Sequence, residues 1–324
     1  MDWAFLIRIL AAILADSAPL VLASVGETLT EKVGVINLSL DGSILLSAMA
    51  GFAVAYLSGS LLIGFAVAMI VGATVALIIA VASIHLRLDQ VAVGFVLTLL
   101  AADLSSFLGN PFVRKPGPTV APLPIPGLST IPALGPLFFS QNVVVYGSFL
   151  AIILSWIWIF RTRPGLEMQS VGERPEAAFA RGINVNRLRY LYTIVGGALV
   201  GLAGAGYSLN VKPGWSYNLT LGIGWIALAI VIFGGWNPLR AALGAYLFGG
   251  LQSLGSILQG VLPGVPTQIF QAAPFAMMIV VLVLVRSEAV EVALERLPGR
   301  AGTALASLLR VTPPGALGTR FEQE

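Results

Sequence analysis

The sequence predicts an all-helical, polytopic transmembrane bundle of about nine spans, within a range of eight to ten. Three observations lead there. Of the 324 residues, 57% are hydrophobic and only 10% are charged, whereas a soluble domain carries about 25% charged residues. Mean hydropathy is +0.91. The apolar residues are also gathered in runs long enough for the roughly 20-residue helix that a bilayer crossing requires, which leaves no room for a sizeable soluble domain.

The first run, 5–25, has the apolarity of a signal peptide, but no basic region precedes it and Asp16 falls in its second half. It reads as an uncleaved span. GETLTEKVG at 26–34 reads as a polar connector, and the second span, 35–57, carries Asn37, Ser39 and Asp41. Ser58 to Ser60 turn the chain into a third span, 61–84, and HLRLDQ at 85–90 leads to a fourth, 91–108, containing Asp103. The composition then shifts: 109–141 holds eight prolines, and interior proline removes helical hydrogen bonds. This segment reads as a Pro-rich extracytoplasmic loop. The fifth span, 142–160, ends at a polar island, 161–189. Four more spans follow at 190–210, 219–235, 241–261 and 269–285, joined by VKPGWSYN, WNPLR and PGVPTQ. Residues 1–285 thus form one transmembrane domain. The remainder, 286–324, reads as a cytoplasmic tail with an amphipathic helix at 288–297 and partial disorder.

Basic residues orient the chain. If the island and the tail are cytoplasmic, alternation also places Lys32, Arg87 and Arg240 inside, so that 14 of the 18 Lys and Arg residues share one side, as the positive-inside rule expects. The Pro-rich loop and the N-terminus then lie outside, and the C-terminus inside. The net charge of +3 and a pI near 9.4 follow from the same loops and do not call for nucleic acid. No cysteine is present, so disulfides, thiolate nucleophiles and cysteine metal ligands are excluded, and one histidine argues against a histidine metal site. His85, beside Arg87, reads as part of a solvated turn. No GxxxxGK[ST], GxSxG or HExxH occurs, so the chain holds no P-loop of its own and no catalytic residue or cofactor is expected.

Within the spans, small residues recur at close-packing spacing, as in Gly197, Gly201 and Ala205, or Ala241, Ala245 and Gly249. They let helix backbones approach, within the bundle or at a subunit interface. Asn37, Ser39 and Asp41 cannot all share one face of a regular helix; a break helped by Gly34 and Gly42 would let them converge. They either hold helices together or, with Asp103, line a solute path. Asp16 reads as a paired or snorkelling group. Trp215, Tyr217 and Trp225 read as an interfacial aromatic belt, with stacking on a sugar as the alternative.

The island carries Arg161, Arg163, Arg174, Arg181, Arg187 and Arg189; the outer four of these, Arg161, Arg163, Arg187 and Arg189, read as orientation anchors. In its middle, Pro175 at a first helical position, Glu176 in the first turn and Gly182 at the end define a helix of about two turns. Such a helix is too short to stand alone in water and needs support. Its string, Glu176-Ala177-Ala178 followed by Gly182, resembles the coupling helix of ABC-importer permeases. SVGERPEAAFARGINVNRLR is similar to the form found in the branched-chain amino acid and simple-sugar permease family. GETLTEKVGVINLSLDGSILLSAMAG resembles that family's early segment and LGIGWIALAIVIFGGWNPLRAALGAYLFG its late Gly-rich pair of spans. The early block is most similar to nucleoside-uptake permeases, with Asp41 where that subgroup commonly has Glu. The resemblance implies a permease subunit of an ATP-driven importer in a bacterial cytoplasmic membrane. It implies a separate ATPase docked on Gly172, Pro175, Glu176, Ala177, Ala178, Phe179, Arg181, Gly182 and Asn184, a second permease chain, and an extracytoplasmic lipoprotein that delivers a nucleoside or simple sugar. The competing reading is a secondary transporter or channel driven by an ion gradient through Asp16, Asp41 and Asp103.

Overall fold

The computed structural model describes residues 3–261, 264–286 and 312–321. Within them the regular elements are helices, in the order α1 (Trp3–Lys32), α2 (Leu40–Ser58), α3 (Leu61–Ala80), α4 (Gln90–Gly109), α5 (Val143–Arg161), α6 (Arg163–Glu173), α7 (Pro175–Ala180), α8 (Val185–Gly206), α9 (Ile223–Phe233), α10 (Pro238–Val261) and α11 (Thr267–Arg286). Among the described residues, seven helices are long and apolar enough to cross a membrane, and α9 is a shorter apolar helix. The expected helix at 288–297 lies outside the described residues.

Two elements differ from the sequence expectation. Helix α1 runs straight through the stretch that reads as a polar connector and ends only at Lys32. It does so because Glu27, Thr28, Thr30 and Glu31 are buried in protein rather than solvated, and the Thr28 and Thr30 hydroxyls donate to the Ser24 and Gly26 carbonyls one turn back. The expected span at 219–235 is the other case. Helix α9 begins only at Ile223, after a turn in which Gly222 has φ +83°. Its 11 residues reach about 16 Å, half of a hydrocarbon layer of about 30 Å.

Helix α8 is the centre of the bundle, packed on α1, α2 and α3. Its glycines make this possible. A Cβ on Gly197 or Gly201 would collide with the backbone of α3, and one on Gly196 with the Gly26 carbonyl of α1. Gly249 of α10 is likewise held against Ser17 of α1. The small-residue spacing therefore serves packing inside the bundle at these positions.

The connectors sort onto two opposite faces. On one, Arg114 N donates to Trp215 O at 2.9 Å and Val120 N to Leu209 O at 2.9 Å, which joins the Pro-rich loop to the α8–α9 connector. Trp215 belongs to this junction and is 1% exposed, lying where a Cβ on Gly109 would have to be. It is a core residue and not part of an interfacial belt, whereas Tyr217 and Trp225 are exposed. On the other face lie the α1–α2 break, the α6–α7 loop and the segment 312–321.

Candidate functional site

Three features are built from the residues that carry chemistry. The first is the break between α1 and α2. Gly34 adopts φ +93°, and the chain then runs without helix to Ser39, which brings Asn37, Ser39 and Asp41 into one buried region. Asn37 Oδ1 accepts from Ser39 N at 3.1 Å and Ser39 Oγ at 2.6 Å, and Ser39 Oγ is 3.1 Å from Ser43 Oγ. Asn37 N donates to Glu27 Oε1 at 3.2 Å, and Ile36 N to Gln90 Oε1 at 2.8 Å. Irregular backbone at membrane depth is tolerated where protein supplies its partners, and here side chains do. Asp41 accepts from Gly224 N at 2.9 Å, so its carboxylate caps the N-terminal, positive end of the half-length helix α9. Glu31, one turn beyond Glu27 on the same face of α1, accepts from the indole N–H of Trp236 in the α9–α10 turn.

The second feature is the island. Thr162 caps α6 by accepting from Gly165 N, and Asn184 caps α8 by accepting from Arg187 N at 2.9 Å. Between them α7 is six residues long, and it is held from its inner side. Pro175 and Ala178 are buried, the latter in a cluster with Met168, Val171, Val33 and Phe321. Gly172 lies so close to α1 that a Cβ would strike the Lys32 carbonyl. Glu176, Ala177, Phe179, Arg181, Gly182 and Asn184 point outward. The segment 312–321 is a further brace. Ala316 N donates to Gly172 O at 2.8 Å, Gly318 N to Gly34 O at 3.0 Å, and Gly315 N to the Glu173 carboxylate at 3.1 Å. Phe321 meets Phe179 edge-on with ring centroids 5.8 Å apart. Part of the tail expected to be disordered is therefore docked, because its backbone finds carbonyl partners at the break and its last aromatic finds a pocket.

The third feature is a half-open cleft of about 610 Å³ between α1, α10, α11, the α8–α9 connector and the start of α9, with Asp16, Lys212, Gln252 and Phe275 among its lining residues. Its lining mixes these polar groups with apolar ones such as Leu219 and Ile223.

Residues 9–282 match the family described as branched-chain amino acid transport system, permease component. The chain belongs to that family. Its relatives include a nucleoside ABC transporter permease of Lactococcus lactis, 35% identical over 87% of this chain and 93% of the relative, and a guanosine ABC transporter permease of Bacillus subtilis, 36% identical over 85% and 90%. A putative glucose ABC transporter permease of Haloferax volcanii is 37% identical over 77% of each chain. No solved structure matches.

In this permease the sequence-selected polar residues separate into groups. Asn37 and Ser39 bond to each other, whereas Asp41 turns to the start of α9, and all of these bonds are directed at protein. Asp103 stands apart, exposed on α4 among exposed Leu99, Leu100, Leu104 and Phe107. The three carboxylates occupy separate surroundings: Asp16 borders the cleft, Asp41 caps α9 and Asp103 is exposed. Arg189, read as an orientation anchor, is instead 2% exposed and donates from Nη1 to Thr319 O at 3.2 Å; it latches the C-terminal segment. Sequence reading passed over Glu27 and Glu31 as connector residues, although their four-residue spacing places them on one helix face. It also passed over Gln252, Ser253 and Ser256, whose polar stripe on an apolar helix was the available signal.

Proposed function

We propose that this permease is the membrane-spanning subunit of an ATP-driven importer for a nucleoside or simple sugar delivered by an extracytoplasmic binding protein. What supports the solute class is the similarity to nucleoside and glucose permeases over most of the chain. The observation that carries the coupling is the outward face of α7. Glu176, Ala177 and Phe179, the last 42% exposed, stand on a helix fixed from behind by the α1–α2 break and the 312–321 segment. An aromatic anchor on a rigid rim is what a partner's groove takes hold of. A separate ATPase docked there pushes on α7, and the push reaches α1, α2 and α8 through Gly172, Ala178 and Arg189 as a rigid-body movement.

Counting α9 with its lead-in and α11, nine crossings alternate between the two faces, with the N-terminus outside and the α7 face cytoplasmic; the basic-residue asymmetry supports this side assignment. The exposed Asp103 carboxylate in an apolar band is costly against lipid, and a second permease chain over α4 would relieve that cost. The membrane in view is the bacterial cytoplasmic one. The test is to replace Glu176 by Lys and Gly182 by Val together and measure co-purification of the ATPase subunit and uptake. Both are expected to fall while the permease still accumulates in the membrane; undiminished co-purification would sink the docking assignment.

A further inference from the structure

The cleft has a chemistry of its own. Its α10 wall is a stripe of Gly249, Gln252, Ser253, Ser256 and Gln259, spaced three and four apart, so that they share one face of a helix whose other faces carry Leu243, Leu247, Leu254 and Leu258. The Ser256 hydroxyl donates to the Gln252 carbonyl one turn back at 3.1 Å, but a glutamine amide facing lipid is expensive and is stable where it borders water or a polar ligand. Across from it, Phe275 presents a ring held edge-on by Phe248 at 5.8 Å between centroids. Asp16 of α1 lies about 20 Å along its helix from Trp3. Lys212 and Asn218 stand in the connector that packs on the Pro-rich loop, so the mouth opens on that face.

We propose that this cleft, and not the α1–α2 break, is the chamber that receives the solute, and that it takes a neutral polyhydroxylated ring compound. The proposal rests on the importer reading above and adds the site to it. Asp16 accepts from ring hydroxyls, Gln252 both donates and accepts, and Phe275 covers an apolar ring face. A volume of about 610 Å³ falls within the ~300–1,000 Å³ of small-molecule sites. The carboxylate at its depth disfavours phosphorylated or otherwise anionic solutes.

The chain contains no cysteine, which makes the test direct. Ser253→Cys, Ser256→Cys and, as a control at the same depth on an exposed α10 position outside the cleft, Leu258→Cys are each expressed with the partner subunits in cells. A charged, membrane-impermeant methanethiosulfonate is then added from outside. Thiolate formation is suppressed in apolar surroundings, so the two cleft positions are expected to react at least about tenfold faster than Leu258→Cys. Millimolar adenosine, guanosine, ribose or glucose is expected to slow the reaction several-fold, and the corresponding monophosphates are not. Asp16→Asn is expected to raise the KM of the protecting solute about tenfold or more, the loss of one charge-assisted hydrogen bond, with ATPase co-purification intact. Reaction no faster than the control overturns the chamber. Fast reaction without protection by any of the four neutral solutes overturns the ligand class. Loss of ATPase co-purification on replacing Glu176 and Gly182 bears on the importer reading alone, so the two can fail independently.

Discussion

Asp41 shows what a single carboxylate does in this fold. Its Oδ1 meets the Gly224 amide at the start of α9, and α9 has no longer helix to lean on at that end. Replacement by alanine leaves a buried N–H without a partner, which costs about 1–3 kcal/mol. Replacement by asparagine keeps the acceptor and loses mainly the charge–dipole part, about 0.3–1 kcal/mol. Thermal unfolding in detergent is therefore expected to rank wild type above Asp41→Asn above Asp41→Ala; an alanine variant as stable as wild type would contradict the capping role. A break ahead of α2 was legible in the sequence, since Asn37, Ser39 and Asp41 cannot share one face of a regular helix and Gly34 precedes them with φ +93°. Their partners were not legible. Glu27 and Gly224 lie far along the chain or on another helix, and nothing local in the sequence says which amide a carboxylate will meet. The same blindness hid Trp215, whose composition suits an interface belt but whose indole fills the space that Gly109 leaves.

At the scale of elements, the long apolar runs were legible because period and length alone define them. Helix α1 was misjudged at its end, where hydropathy counts Glu27 and Glu31 as water-loving and cannot register that protein surrounds them. The α6–α8 loop was legible as a short helix that needs support, and the structure identifies the support. Residues 312–321 are the unforeseen part, a segment whose hydrogen bonds join Gly172, Glu173, Gly34 and Arg189. Ending the chain after Val311 removes these bonds and uncovers Phe179. Trypsin is expected to cut at the exposed Arg181 about tenfold faster in the shortened permease, equivalent to one or two net hydrogen bonds of about 1 kcal/mol each lost from local stability. An unchanged cleavage rate would show that α6 and α8 alone hold α7.

For the whole molecule, the arrangement is one of two ends joined by glycine-packed helices. At one end the Pro-rich loop and the α8–α9 connector frame the cleft; at the other, α7 and the C-terminal segment form a rigid outward rim. Between them α8 touches α1, α2 and α3 at backbone distance, so movement at the rim cannot be absorbed by side chains and passes to the helices that wall the cleft. On the proposed reading, a push from outside the bundle becomes a change at the cleft, with the energy supplied by another chain. The central claim is that the push is an ATPase's. Uptake of labelled guanosine and glucose in cells that express this permease, with the gene of its ATPase subunit deleted and with the proton gradient separately collapsed, tests it most directly. Uptake is expected to vanish with the ATPase and to outlast the gradient while cellular ATP is maintained; uptake that survives the deletion and collapses with the gradient would contradict it.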